Sequence, residues 1–147
     1  MTFVIHFIMC MLATIGFGIV FNGPKEELIY IGFSGGVCWI IYLLFNEGIG
    51  WNSVLSILLA SIGTTIFCRA MAAYRRCPVT VYLLAALFPL VPGGRIYYTA
   101  YYMFMKDQYL FMHHGLMALE IAMAIAVGIS LGFGIPQEFF GLFRKRG

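Results

Sequence analysis

The residues best suited to chemistry fall together in Phe88-Pro89-Leu90-Val91-Pro92-Gly93-Gly94-Arg95-Ile96-Tyr97-Tyr98, inside an apolar run long enough to cross a membrane. Pro89 and Pro92 each remove a backbone donor and clash with the carbonyl four residues back, so Ala85 and Phe88 lose their usual helical bonds. In hydrocarbon such freed groups are costly unless protein or trapped water satisfies them. A broken helix at that depth belongs where it is buried or lines a cavity, an arrangement that transporters use for substrate sites. If a half-helix restarts at Gly93, the amides of Gly93, Gly94, Arg95 and Ile96 are unpaired and carry the positive end of the helix dipole. Glycine lets a ligand approach that backbone, and Arg95 adds a forked, permanent cation suited to a carboxylate. Pro89, Pro92, Gly93, Gly94, Arg95, Tyr97 and Tyr98 therefore form a candidate site for a small anionic or zwitterionic carboxylate. The plainer alternative is a proline kink that only shapes the bundle, with Arg95 snorkelling or paired to an acid.

Other residues carry weaker signals. Glu120 is the acid placed within an apolar run, as a proton-coupling group, as the neutraliser of Arg95, or as an interfacial acid reaching water. Arg69 stands in the last turns of its run, where its side chain is expected to snorkel to the cytoplasmic surface. His113-His114 is read as an adjacent pair on a loop, a poor basis for a metal site, so no metal is expected. Tyr101 and Tyr102 fit an aromatic belt at the outer surface. There is no intramembrane carboxylate pair, Ser/His dyad, H-E-x-x-H or phosphate-binding glycine motif, so neither an enzyme nor a cofactor is expected. The glycines of Gly32-Phe33-Ser34-Gly35-Gly36 lie inside a helix and read as packing residues.

The elements that must position these groups are membrane spans. Hydrophobic residues make up 62% of the 147 and charged residues 10%, well below the roughly 25% charged of a soluble domain. The chain reads as a single all-α integral-membrane domain over residues 1–147, with no soluble domain left over and no nucleic-acid partner. With about 20 apolar residues needed per crossing, five spans are drawn at Phe3–Phe21, Leu28–Phe45, Val54–Ala73, Val79–Met105 and Leu116–Ile135, the fourth broken at Pro89–Gly94. Asn22-Gly23-Pro24, Asn46-Glu47-Gly48, Pro78 and Pro136 supply the stops and starts. The N-terminal run has no basic leader or small-residue cleavage site and is expected to stay as a helix.

Five crossings place Lys25, Arg69, Arg75, Arg76, Arg144, Lys145 and Arg146 on one side and Lys106 on the other. The positive-inside rule then puts the N-terminus outside and the C-terminus in the cytoplasm. Were the fourth span a re-entrant hairpin, the basic C-terminal cluster would flip outward, so one broken but complete crossing is expected. Gly32/Gly36 and Gly128/Gly132 are G-x-x-x-G pairs, and Ser56, Ala60, Gly63 and Thr64 give the third span a small-residue face. These serve ordinary helix packing within the chain or a docking face for another subunit. Cys10, Cys38, Cys68 and Cys77 show no metal or disulfide spacing and read as buried free thiols.

The chain resembles the threonine/serine exporter (ThrE) family, and in particular the small YjjB-like subunit of its split, two-chain members. The resemblance is carried by Val20-Phe21-Asn22-Gly23-Pro24, Gly36 with Trp39, Pro78, Phe143-Arg144-Lys145-Arg146, and above all Pro89-Leu90-Val91-Pro92-Gly93-Gly94 with Tyr97. It implies a multi-pass bacterial inner-membrane secondary exporter of small carboxylate metabolites, threonine and serine or succinate. It also implies a larger membrane subunit as partner, and five helices are few to enclose a path, so a homo-oligomer is a further possibility. The anion-clamp role of Arg95 comes from this sequence alone. A non-transporting accessory subunit and an uncoupled pore are the alternatives.

Overall fold

The computed structural model describes residues 2–136. It is built from α1 (Thr2–Val20), α2 (Leu28–Leu43), α3 (Ser53–Arg75), α4 (Val79–Leu87), α5 (Gly93–Phe104) and α6 (Gln108–Gly134), with no strand among the described residues. Short turns of tighter or wider helix occupy Lys25–Glu27, Leu44–Gly48 and Phe88–Leu90. Phe143 and the Arg144-Lys145-Arg146 cluster lie outside the described residues.

The helix ends follow local chemistry. Asn22, Arg76 and Lys106 take the left-handed conformation that stops α1, α3 and α5. Asn52 and Asp107 cap α3 and α6, their side chains accepting from the amides of Val54 at 3.3 Å and Leu110 at 3.1 Å. Ile135 is extended ahead of Pro136, which ends α6. Because Asp107 starts α6 at Gln108, that helix begins eight residues before the expected Leu116. The apolar stretch marked the membrane part of the helix and not its start. His113 and His114 are accordingly helical residues of α6 and not loop residues.

α1, α2, α3 and α6, the second extended through its flanking turns, are each long and apolar enough to cross a membrane. The stretches Val79–Leu90 and Gly93–Phe104 qualify together, bent by 55° at the break. Small residues make the close contacts. A side chain added at Gly32 would strike Ile15, one at Gly35 would strike Thr14 and one at Gly36 would strike Phe7, which sets α1 antiparallel to α2. Added at Gly128 it would overlap Ser61, and at Gly132 it would overlap Thr65. Both G-x-x-x-G pairs thus serve packing within the chain.

The order of those contacts fixes the path of the broken span. Ser61, Thr65 and Arg69 of α3 meet Gly128, Gly132 and Ile135 in turn, so α6 runs in the same sense as α3. The chain between them must return to the end where α3 began, and α4 with α5 is what returns it. The bent pair is therefore arranged as one interrupted crossing and not as a hairpin with both ends on one side. Within it, α4 is packed among α1, α2 and α3, with Tyr82, Ala85 and Ala86 fully or almost fully buried. α5 buries no residue and leans on α6.

Candidate functional site

The break forms because Pro89 and Pro92 cannot donate, and the chain answers with tighter turns. The Phe88 amide donates to the Ala85 carbonyl, and the Val91 amide donates to the Phe88 carbonyl at 3.1 Å. Both carbonyls that the prolines strip of a helical partner are thereby satisfied by bonds one residue shorter. Pro92 then takes φ −78° and ψ 53°, an inverse γ-turn closed by the Gly93 amide donating to Val91 at 2.8 Å. The Ile96 amide donates to the Pro92 carbonyl at 3.0 Å.

Of the four amides expected to be unpaired, Gly93 and Ile96 are in fact used, Gly93 by the γ-turn bond to Val91 and Ile96 by the first α-helical bond of α5, to Pro92. The amides of Gly94 and Arg95 make no hydrogen bond among the described residues. Gly93 and Gly94 are exposed, and a methyl group placed on either would meet nothing within 4 Å. Two free donors thus stand at the start of α5, on an uncrowded glycine backbone and at the positive end of the helix dipole.

Arg95 is half-buried one turn into α5, and its Nη1 donates to Nδ1 of His114 on α6 at 3.2 Å. A guanidinium has no lone pair to offer, so His114 accepts. The imidazole is stacked on Tyr102, with ring centres 5.5 Å apart and planes 6° from parallel, and on Tyr98 at 5.4 Å. Tyr97 stacks on Tyr101 at 6.4 Å, and Tyr97, Tyr98 and Tyr101 are all exposed. These tyrosines form one continuous aromatic ladder that begins at the break.

The expected site residues divide cleanly. The structure brings Arg95 and Tyr98 together around His114, a residue expected to play no part. Gly93 and Gly94 begin the same helix, while Pro89 and Pro92 shape the turn that leads into it. Glu120 is exposed on α6 and makes no hydrogen bond or ion pair among the described residues. Arg95 is bonded to His114 and not to Glu120.

Arg69 does not snorkel. It is 6% exposed and donates to the carbonyls of Gly132 at 2.7 Å, Phe133 at 3.2 Å and Ile135 at 2.7 Å. The end of α6 offers a cation unbonded carbonyls and the negative end of a dipole, a nearer partner than water.

A second polar cluster escaped sequence reasoning. Glu27, 5% exposed, accepts from Arg75 Nε at 3.0 Å and Nη2 at 2.6 Å, and from the Tyr82 hydroxyl at 2.7 Å. The Arg75 guanidinium also lies over the Tyr30 ring at 4.5 Å. The cluster ties the start of α2, the end of α3 and the start of α4 at one end of the bundle. One signal was present: the span count already placed Lys25–Glu27 beside Arg75–Arg76. Nothing in the sequence identified Tyr82 as the third member.

Two open cavities accompany these clusters. One of about 210 Å³ lies between the end of α1 and α4, lined by Phe21, Asn22, Gly23, Thr80 and Leu84 among others. Another of about 280 Å³ sits at the turn from α5 to α6, against Tyr102, Lys106, Asp107 and Phe111. Neither reaches the Pro89–Gly94 break.

Residues 6–133, most of the chain and all of the break, match the family model described as Threonine/Serine exporter, ThrE. No solved structure matches the chain.

Proposed function

This chain belongs to the threonine/serine exporter family, and from that premise we propose that it is the small membrane subunit of a two-part secondary exporter of carboxylate metabolites. Its place is the bacterial inner membrane, N-terminus outside and C-terminus in the cytoplasm, beside a larger membrane subunit that completes the path. The substrates are threonine and serine, or succinate. The substrate carboxylate is taken at the start of α5, by the amides of Gly94 and Arg95 and by the Arg95 guanidinium, with Tyr97 and Tyr98 beside it. Glu120 is a weaker candidate for coupling.

The observation that carries this reading is the open backbone at Gly93-Gly94. A break whose stripped carbonyls are repaired, yet which leaves two donors free on an uncrowded glycine backbone, suits a ligand better than a mere kink. The tyrosine-rich face of α5 suits a wet path, a protein partner or the membrane–water interface better than the hydrocarbon core, where its hydroxyls would lack partners.

The test is efflux of labelled threonine, serine and succinate from cells lacking their own exporters. It compares this chain alone, with its larger partner, and with Gly93→Val in the pair. Saturable efflux that needs both chains and is lost in the variant, at unchanged membrane content, supports the reading. Equal efflux from the partner alone reduces this chain to a scaffold.

A further inference from the structure

We propose that His114 is the group through which a proton controls Arg95, so that a carboxylate and a proton occupy this site together. The inference rests on the exporter reading and adds to it a proton-linked control of substrate binding and the atom that carries it.

Arg95 Nη1 lies 3.2 Å from His114 Nδ1. Arginine can only donate, so Nδ1 must present its lone pair and the imidazole must be neutral, with its hydrogen on Nε2. A proton added to Nδ1 sets one N–H against another and leaves two cations side by side, so protonation and the contact exclude each other. Tyr102 and Tyr98 hold the imidazole plane by stacking. The partner free to move is therefore the arginine, on its long stem.

The surroundings leave the released arginine in need of an anion. From α5 the groups facing His114 are Arg95, Tyr98 and Tyr102, and on α6 the His113 ring stands edge-on at 5.5 Å. Asp107, about two turns back along α6, is engaged as the cap of that helix, and Lys106 before it adds a further positive charge. Among the described residues no carboxylate is bonded to Arg95. The described residues thus leave this place to an arriving anion, and the unused amides of Gly94 and Arg95 lie on the same first turn of α5.

The step balances. Nδ1 takes one proton from water and gives up the hydrogen bond from Arg95. Arg95 then donates to the arriving carboxylate, whose charge the added proton offsets. When the carboxylate leaves, the proton returns to water and the Arg95–His114 contact reforms. By linkage each ligand tightens the other, and equally in both directions.

Threonine exchange tests this, because exchange needs no driving force and the threonine carboxylate stays ionised between about pH 5.5 and pH 7.5, the range around an ordinary histidine. Vesicles from cells carrying the complete exporter are loaded with labelled threonine and diluted into unlabelled threonine, with equal pH on both sides. In the natural protein the half-saturating concentration should fall about tenfold on acidification, an ordinary size for linkage. His114→Gln, which keeps an acceptor for Arg95 but cannot take the proton, should hold the weaker value at both pH values. His114→Ala frees Arg95 without a proton and should hold the tighter value at both. A pH dependence that survives in both variants overturns the assignment while leaving the export reading intact. If neither threonine nor succinate exchanges in the natural protein at either pH, the export reading itself is overturned.

Discussion

Arg69 of α3 donates to the carbonyl of Ile135 at 2.7 Å, across 66 residues of sequence, and the same nitrogen reaches Gly132 at 2.7 Å. The final carbonyls of a helix have no partner in their own helix, and in hydrocarbon they have no water either. A buried arginine supplies charge and donors together, and the Phe133 ring covers its guanidinium at 5.5 Å. This contact also locks the parallel order of α3 and α6, on which the single interrupted crossing of α4 and α5 depends.

Replacing Arg69 should therefore cost more than its charge alone suggests. Arg69→Met leaves the α6 carbonyls orphaned, and the loss should be about 3 kcal/mol. Arg69→Lys keeps a cation without the fork and should fall between the two. Thermal unfolding of the detergent-solubilised chain, read by circular dichroism, checks the order. Equal melting temperatures for the three proteins would show that the clamp contributes nothing.

The Glu27–Arg75–Tyr82 cluster should respond asymmetrically. The Glu27 side chain is 7% exposed and that of Arg75 30%, so Arg75 can turn to water but Glu27 cannot. Arg75→Ala strands a buried carboxylate and should be the most destabilising of the three. Tyr82→Phe removes one hydrogen bond to a charged group, for about 1.5 kcal/mol. Glu27→Gln keeps one acceptor oxygen for Arg75 and turns the other atom into a donor toward the Tyr82 hydroxyl, so it should cost less than Arg75→Ala. Denaturant titrations of the three variants decide it, and a milder loss for Arg75→Ala than for Glu27→Gln would contradict the argument.

The spans and their interruption were legible because apolar length and proline chemistry are local properties. Asn22, Pro78 and Pro136 marked helix boundaries for the same reason. The prolines announced that Ala85 and Phe88 would lose partners, but the tighter turns that restore them depend on where the chain bends next. Glu27, Arg75 and Tyr82 meet through three helices, and no periodicity relates residues 48 and 55 apart. His114 was read as a loop residue because α6 starts at a cap, Asp107, ahead of the apolar stretch that marked the span. Once α6 is extended to Gln108, His114 falls opposite α5, where Arg95 is waiting for an acceptor.

The contact of Gly128 with Ser61 offers a pair test. Gly128→Ala drives a methyl group into the Ser61 hydroxyl and the Leu58 carbonyl, and should cost about 1–3 kcal/mol. Ser61→Gly in the same chain removes the serine side of the clash and should recover part of that loss. A double-mutant cycle on thermal stability measures the coupling. Strict additivity would mean that α6 does not seat on Ser61.

Gly94 separates binding from folding. A methyl group there meets nothing within 4 Å, and no positive φ demands glycine. On stability alone Gly94→Ala should be neutral or gain about 0.5 kcal/mol through a less flexible unfolded chain. If the Gly94 amide receives a carboxylate, the same methyl group stands in the ligand's approach. Export should then fall about tenfold, corresponding to about 1.4 kcal/mol of lost binding or transition-state energy. The kink reading makes the opposite demand: with Pro89 and Pro92 intact the bend is intact, so Gly94→Ala should leave export unchanged. Efflux rate and melting temperature measured on one preparation distinguish them. Lower export at an unchanged melting temperature assigns the open backbone to the substrate, and unchanged export returns the break to a purely structural role.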